Sequence, residues 1–460
     1  MSLHVHVSGV AGVGMSALAQ ALVWSGARVT GSDRFLDRGD DLEIFGQLRE
    51  AGVELVPQDG SALTPGTAAL AYSTAIEADN PEMRRARELG VPLKHRAAML
   101  AELASGKRVV AVAGTAGKTT TTGMLGHALE RLGADPTVVN GGALAEWARR
   151  GGGVGNVRRG AAGAPWVLEV DESDRSLLDF EPEWSVVTNI SQDHFGLDEV
   201  RALFREYAGR VRRGIVCGPG VARWVRDGAK PGVEVVEAEG IPERAADGSW
   251  SVSWRGARLA VPQPGEHNAL NALCAAECCR RMGFGAEAVA AALNDFGGIR
   301  RRLERVGRGA RGEDVFDDYA HNPAKIAAAW QAAGGEGRRR VLGVWRPHGY
   351  GPLRNMMQGL ADAFADAMGP EDRLWVLPVF DAGGTADRSV SSGELVAALQ
   401  GRGKAADGLA GLSGEDAALV ASAARGGEAV LVMGARDPGL PGFARRVAEA
   451  LGGRTRDGTR

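Results

Sequence analysis

The chain has 460 residues, 44% of them hydrophobic and 24% charged, with a formal net charge of −3. That balance belongs to a globular protein of several domains, excludes a global basic field for nucleic acid, and leaves no apolar run of the roughly 18–20 residues that membrane insertion needs. Cys217, Cys274, Cys278 and Cys279 match neither a metal nor a disulfide spacing, so they read as buried thiols of a reducing, cytoplasmic protein.

The first hundred residues alternate strand and helix patterns. Strands are expected at 4–8, 27–31 and 68–72, and helices at 15–25, 42–51 and 81–89, which makes a parallel, βα-wound module. After the first strand comes Gly9-Val-Ala-Gly12-Val-Gly14-Met15, and Asp33 closes the second. The order G-x-x-G-x-G differs from the G-x-G-x-x-G of dinucleotide-binding folds. Three readings stay open: NAD or FAD, another nucleotide-linked molecule with its pyrophosphate at the helix N-terminus, or glycines that serve packing alone.

A polar break at 104–108 precedes VVAVAGTAGKTTTT, residues 109–122. An apolar strand, a glycine loop (Gly114, Thr115, Ala116, Gly117) and a helix led by Lys118, Thr119 and Thr120 form the order that holds nucleotide phosphates. Backbone N–H groups curl round the anion, the lysine reaches the terminal phosphates and the Thr119 hydroxyl suits Mg²⁺. The first glycine of the G-x-x-x-x-G-K-T pattern is Val112 here. The chain uses six lysines against 48 arginines, yet keeps a lysine at this position, where a compact ammonium suits phosphate better than a planar fork. ATP is the expected ligand.

Residues 149–165 are glycine- and arginine-rich and read as a mobile surface loop. The run Glu169-Val-Asp171-Glu172-Ser173-Asp174 then crowds four carboxylates at a strand end, as a metal-binding cluster or a solvated acidic turn. Asn189-Ile-Ser191-Gln-Asp193-His194 ends the next strand. With Thr119, Glu169 and His194 are the candidate Mg²⁺ ligands. His267, Asn268 and Asn271 start a helix, where they frame a base or ribose or merely cap it. Arg301 and Arg302 read as a clamp on a phosphoryl group or as a surface basic run. A break at 307–312 opens a third module with buried parallel strands near 340–345, 374–379 and 429–433. In it, Asp317-Asp318-Tyr319-Ala320-His321 and Pro347-His348-Gly349-Tyr350 leave strand ends as site loops.

In this order, the segments from G-x-x-G-x-G-M and G-S-D through G-T-x-G-K-T-T-T, E-x-D-E-S-D, T-N-I-x-x-D-H, H-N-x-x-N-A, R-R, D-D-Y-A-H-x-P and P-H-x-Y resemble the Mur ligases. These are the ATP-dependent, amide-forming enzymes of peptidoglycan precursor synthesis, and the resemblance spans essentially the whole chain. It implies an α/β, three-domain architecture. A Rossmann-like UDP-substrate domain would occupy 1–104, a central P-loop ATPase domain 105–306 and a Rossmann-like C-terminal ligase domain 307–460.

By the same resemblance, Gly9, Gly12, Gly14, Met15, Asp33, Ser73 and Thr74 would bind the UDP substrate. Gly114, Thr115, Gly117, Lys118, Thr119, Thr120, His267, Asn268, Asn271 and Arg302 would bind ATP. Thr119, Glu169 and His194 would hold Mg²⁺, and Lys118, His194, Asp317 and His321 would act in catalysis. The implied partners are UDP-N-acetylmuramate and an amino acid, L-alanine by the nearest pattern, in a monomer or homodimer. Glycine, serine or a recycled peptide are the related alternatives, and a nicotinamide-dependent oxidoreductase is the alternative from another class. The chain departs from the family at Ala116, a histidine in G-T-H-G-K-T, and at Ser191, an acid in the T-N-I run. Gly349 and Pro352 replace both arginines of P-H-R-Y-T-R that meet substrate carboxylates, for which Arg346 or Arg354 would stand in.

Overall fold

The computed structural model describes residues 3–40, 42–151, 153–191, 196–245, 249–335, 339–381 and 387–455. It divides the chain into two compact units, residues 1–299 and 300–460. The first unit opens with strands β1 (His4–Ser8), β2 (Arg28–Ser32), β3 (Glu54–Leu55), β4 (Ala69–Tyr72) and β5 (Leu93–His95). All pair in parallel, in the order β3-β2-β1-β4-β5. The order reverses between β1 and β4, so the loops after those strands flank a crevice, where such sheets collect ligands. The helices between them follow local rules. Over Pro81–Leu89, for example, Asn80 accepts from the Glu82 N–H, proline fills the first turn, and Gly90 at φ 69° ends the helix. That helix is tied to β1 by a fully buried network. Glu82 accepts from the Ser8 hydroxyl at 2.5 Å and meets His6 Nε2 at 2.8 Å, which fixes the end of β1 from which the glycine loop leaves.

The second sheet of this unit comprises β6 (Val109–Ala113), β7 (Thr137–Val139), β8 (Val157–Arg158), β9 (Trp166–Glu169), β10 (Trp184–Val187), β11 (Gly214–Cys217) and β12 (Glu234–Glu237). Its order is β12-β11-β10-β6-β9-β7-β8, parallel except for β8. Every residue of β6 is buried, as an apolar central strand with helices on both faces requires. A three-stranded antiparallel sheet follows, of β13 (Ile241–Arg244), β14 (Trp250–Trp254) and β15 (Ala257–Val261).

Residues 149–165 depart from the expected surface loop. They contain β8, and Asn156 is fully buried. Its amide donates to Val13 O at 2.8 Å and Ser16 Oγ at 3.0 Å, and its Oδ1 accepts from Gln20 at 3.1 Å. The segment therefore packs on the helix Val13–Trp24 of the first sheet. Gly160 serves close approach: a Cβ there would run into the backbone of Asp135 and Pro136.

The second unit holds β16 (Glu304–Arg308), β17 (Asp314–Asp318), β18 (Val341–Trp345), β19 (Arg373–Val376), β20 (Ala406–Gly408), β21 (Ala429–Met433) and β22 (Arg454–Thr455). The order is β20-β19-β18-β21-β17-β16-β22. Five central strands are parallel, and β16 and β22 complete one edge in antiparallel pairing. Both β18 and β21 are buried throughout. In this sheet β21 lies between β17 and β18, so the loops that follow those three strands emerge side by side.

Among the described residues, no helix is long and apolar enough to cross a membrane. All four cysteines are free and buried, with thiol pKa values raised by burial.

Candidate active site

The phosphate-type loop leaves β6 between its two neighbours in the sheet, β10 and β9, and both contribute to it. Gly114 and Gly117 take φ of 134° and 81°, and neither has room for a side chain. A Cβ on Gly114 would meet the Thr188 hydroxyl, and one on Gly117 the Asn271 amide. Gly117 starts the helix Lys118–Arg131, whose first turn carries no acidic side chain. Its dipole therefore favours an anion at that end.

From the β10 side, Asn189 grips the loop at a single residue. Its Oδ1 accepts from the Ala116 N–H at 3.0 Å, and its Nδ2 donates to the Ala116 carbonyl at 2.8 Å. The Thr188 hydroxyl donates to the same carbonyl at 2.6 Å. Thr115 donates to Asn189 Oδ1 at 2.6 Å, and Ser191 Oγ lies 2.7 Å from the Thr115 hydroxyl. The two departures from the family pattern therefore meet here. Ala116 contributes backbone alone, and Ser191 closes a hydroxyl network.

From the β9 side come the carboxylates. Lys118 Nζ donates to Glu172 Oε2 at 2.5 Å and to the Gly114 carbonyl at 2.9 Å, with Asp171 Oδ1 at 3.6 Å. Burial opposes the ammonium, but Asp171 and Glu172 outweigh it and raise the Lys118 pKa. The Asp171 carboxyl, although burial alone would raise it, is held at about 2 by Lys118, the Ser173 N–H and Arg96. Burial pushes Glu172 up to about 7 against the pull of Lys118. One ammonium thus sits between two carboxylates, and Glu172 bears the desolvation.

Thr119 Oγ1 donates to Glu169 Oε1 at 3.0 Å, and the Gly141 N–H donates to Oε2 at 2.7 Å. A hydroxyl beside a carboxylate is a hard-oxygen pair suited to Mg²⁺. His194 lies outside the described residues, and among the described residues no three His, Cys, Asp or Glu side chains cluster as a metal site. Thr120 is buried in the same helix turn. The helix Glu266–Arg281 brings buried Asn268 and Asn271 toward the loop, with Asn271 donating to Asn268 Oδ1 at 3.3 Å. His267, one residue round the helix, is exposed and folds against Gly265.

At the first sheet, Gly9 takes φ 73° against Ile76, and Gly12 caps the helix Val13–Trp24. Gly14 faces the Arg96 guanidinium, which no sequence pattern singled out. Asp33 accepts from the Ala11 N–H through Oδ2 and from the Phe35 N–H through Oδ1, both at 3.0 Å. Its carboxylate thus shapes the glycine loop. Met15 belongs to the core, Ser73 Oγ accepts from Ala75 N at 3.4 Å, and Thr74 is exposed after β4.

In the second unit, Asp317 is fully buried, and burial raises its pKa although Arg301 Nε stands 3.3 Å from Oδ2. Asp318 accepts from Leu303 N at 2.6 Å and from Ala320 N at 2.7 Å. Arg302 lies in this unit, its guanidinium carbon 5.3 Å from the centre of the Tyr319 ring. His321 Nδ1 is 2.9 Å from the Tyr319 carbonyl, so the hydrogen sits on Nδ1 and Nε2 keeps a lone pair. The His348 ring packs edge-on at 4.9 Å between centroids. Burial, with Lys325 nearby, lowers His321 to about 3, and burial with Arg436 and Lys325 lowers His348 to about 4.

Neither arginine expected to replace those missing at Gly349 and Pro352 is at liberty. Arg346 pairs with Asp437 at 2.6 Å and lies over Phe380. Arg354 donates to the Asp387 carbonyl at 2.9 Å and to Ser389 Oγ at 3.1 Å.

A glycine loop with its lysine, followed by a hydroxyl–carboxylate pair, in a chain of three largely parallel α/β sheets defines a nucleotide-phosphate site of the ATP-binding kind rather than that of a nicotinamide oxidoreductase. Residues 4–108 match the Mur ligase family catalytic domain, and residues 301–436 match the Mur ligase glutamate ligase domain. The UDP-N-acetylmuramate–L-alanine ligase of Gloeobacter violaceus is 39% identical over 410 residues, which cover 85% of this chain and 84% of that protein. Its counterpart from Sinorhizobium fredii is 35% identical, with 94% of both chains covered. The crystal structure of UDP-N-acetylmuramate–alanine ligase from Thermotoga maritima superimposes with a TM-score of 0.76 at 26% identity, covering 97% of this chain and 98% of that one. The chain belongs to the Mur ligase family, with the three-domain α/β fold and the ATP-dependent, amide-forming chemistry of that family.

Proposed function

We propose that the chain joins L-alanine to the carboxylate of UDP-N-acetylmuramate at the expense of ATP, in the cytoplasm. The observation that carries the ATP half is Lys118, an ammonium held between Asp171 and Glu172 at the mouth of a glycine loop that leads into a helix N-terminus. The sequence likeness to two alanine ligases over most of the chain supports the choice of substrates.

Two anions, a triphosphate and a carboxylate, must approach each other, which demands positive charge that is already in position. Lys118 and the helix N-terminus supply it to the β- and γ-phosphates, with Gly114, Thr115, Gly117 and Thr120 shaping the cradle. Thr119 and Glu169, with His194, would hold Mg²⁺, which when bound contributes further neutralising charge on the phosphates. The carboxylate oxygen of the substrate takes the γ-phosphoryl group and ADP leaves. The amine of the amino acid then attacks the carbonyl carbon of the acyl phosphate and loses a proton, and phosphate departs as the C–O bond breaks. Gly12 and Gly14, at the N-terminus of the first long helix, receive the UDP diphosphate. Asn268 and Asn271 contribute to the nucleotide pocket, and Arg302 to the phosphates. The two neutral histidines, His321 and His348, present a lone pair to the incoming amine.

The test is phosphate release with ATP, Mg²⁺ and UDP-N-acetylmuramate against L-alanine, glycine, L-serine and a tripeptide, each in turn. L-Alanine should give the highest kcat/KM. A clear preference for the tripeptide would reassign the chain within its family, and no stimulation by any acceptor would remove the reading.

A further inference from the structure

We propose that Arg436 is the residue that reads the carboxylate of the incoming amino acid. This rests on the ligase reading above and names the specificity residue of its last step.

Strand β21 lies between β17 and β18, in register so that Met433 sits opposite both Asp318 and Trp345. The three residues after β21 therefore rise between the loop that carries His321 and the loop that carries His348. Their backbone is pinned from both sides. Arg301 donates to the carbonyls of Gly434 at 2.7 Å and Ala435 at 2.9 Å, while Arg346 holds the Asp437 carboxylate at 2.6 Å. Asp437 also accepts from Gly439 N at 2.8 Å. Of the four residues from Gly434 to Asp437, the three neighbours of Arg436 are thus committed and buried, whereas Arg436 is exposed. Among the described residues its guanidinium has no carboxylate partner.

Chemistry selects the ligand. An α-amino acid presents an amine and a carboxylate on one carbon, so its reader needs a hydrogen-bond acceptor beside a cation. His321 offers the Nε2 lone pair, and Arg436 offers a planar fork matched to a carboxylate. The field of Arg436 on His348 is consistent with this adjacency. The two arginines nearest in sequence to the family's lost pair, Arg346 and Arg354, are already engaged, and the residues after β21 bring another arginine between the two histidine loops.

The experiment compares the full-length wild type with R436A, R436K and R436E under saturating ATP and UDP-N-acetylmuramate, varying L-alanine and, separately, L-alaninamide. Loss of a charge-assisted pair should raise the KM for L-alanine roughly 10- to 100-fold in R436A. R436K should recover part of it, and R436E should be weakest. The KM values for ATP and the UDP-sugar should stay within about twofold. The wild type should prefer L-alanine to L-alaninamide, and R436A should lose that preference. An active R436A with an unchanged KM for L-alanine overturns the assignment alone, as does a change confined to the KM for ATP. A wild type that turns over no amino acid removes the ligase reading itself, and this assignment with it.

Discussion

Lys118 and Glu172 are 2.5 Å apart, and Glu172 is almost wholly buried. The carboxylate holds the ammonium beside the glycine loop, in a position from which it can turn to phosphate. Lys118→Ala removes a charge stabiliser that is in position before the reaction, and should cost about 3 kcal/mol of transition-state stabilisation, or about 10²–10³ in kcat. Glu172, already pushed up to about 7, can take a proton in the variant, so the fold should survive. Steady-state phosphate release and a thermal melt check both halves. An unchanged kcat would take the loop out of the mechanism.

Asn189 holds both the N–H and the carbonyl of Ala116. Removing that clamp in Asn189→Ala leaves the loop without its template, and two lost hydrogen bonds of about 1 kcal/mol each predict a roughly 10- to 30-fold rise in the KM for ATP. Asn189→Asp keeps the acceptor for the Ala116 N–H and should fall between the two. Thr188 still holds the carbonyl in both variants, so equal KM values for wild type and Asn189→Ala would show that Thr188 suffices.

How far this site could be read from the sequence follows from the same residues. Gly114, Gly117, Lys118 and Thr119 announce themselves, because the phosphate cradle needs glycine and lysine at fixed local spacing. The partners do not. Four carboxylates crowd residues 169–174, and nothing in their order says that Glu172 meets Lys118 while Glu169 meets Thr119. Asn189 acts on the loop because β10 pairs with β6, a crossover order that sequence spacing does not encode. The glycine-rich run at 149–165 looked like exposed low complexity, yet Gly160 is there so that two backbone segments can touch. Arg436 is one arginine among 48 until the sheet order sets it between two histidine loops.

Gly117→Ala tests the cradle from its other side. The residue takes φ 81°, and an added Cβ would strike the Asn271 amide. Left-handed strain of on the order of 1 kcal/mol adds to the displacement of Asn271. The expected outcome is a kcat/KM for ATP lowered at least about tenfold, with the KM for L-alanine unaffected. An L-alanine effect as large as the ATP effect would mean a general collapse of the fold instead.

His321 and His348 predict acid sensitivity of the second unit. Both pKa values are lowered, to about 3 and about 4, so between those values and the ordinary 6.5 the unfolded chain binds protons that the folded chain refuses. Stability should therefore fall as the pH drops below about 6.5 and level off near 3, where both states are protonated. Melting temperature against pH should slope less steeply in His348→Gln than in the wild type. Equal slopes would mean that other groups govern the acid limb.

His127 carries the opposite sign. It lies on the same helix as Lys118, fully buried, with Nδ1 2.5 Å from Glu146 and Nε2 2.8 Å from Asp295. Two carboxylates can both be satisfied only when both ring nitrogens bear hydrogen, so the imidazolium is the form that fits. Burial lowers its pKa, but the two acids prevail and raise it above 6.5. Its contribution should be complete below about 6.5 and fade as the pH rises through the elevated folded value. Neutral His127→Gln removes that contribution and should destabilise by about 1–3 kcal/mol, because a buried imidazolium is lost from two acids, of which the half-exposed Asp295 is screened by solvent. The loss, read from denaturant melts, should be largest at acidic pH and shrink toward pH 9. A loss that stays constant across that range would make the ring a packing group and rule out the charged form.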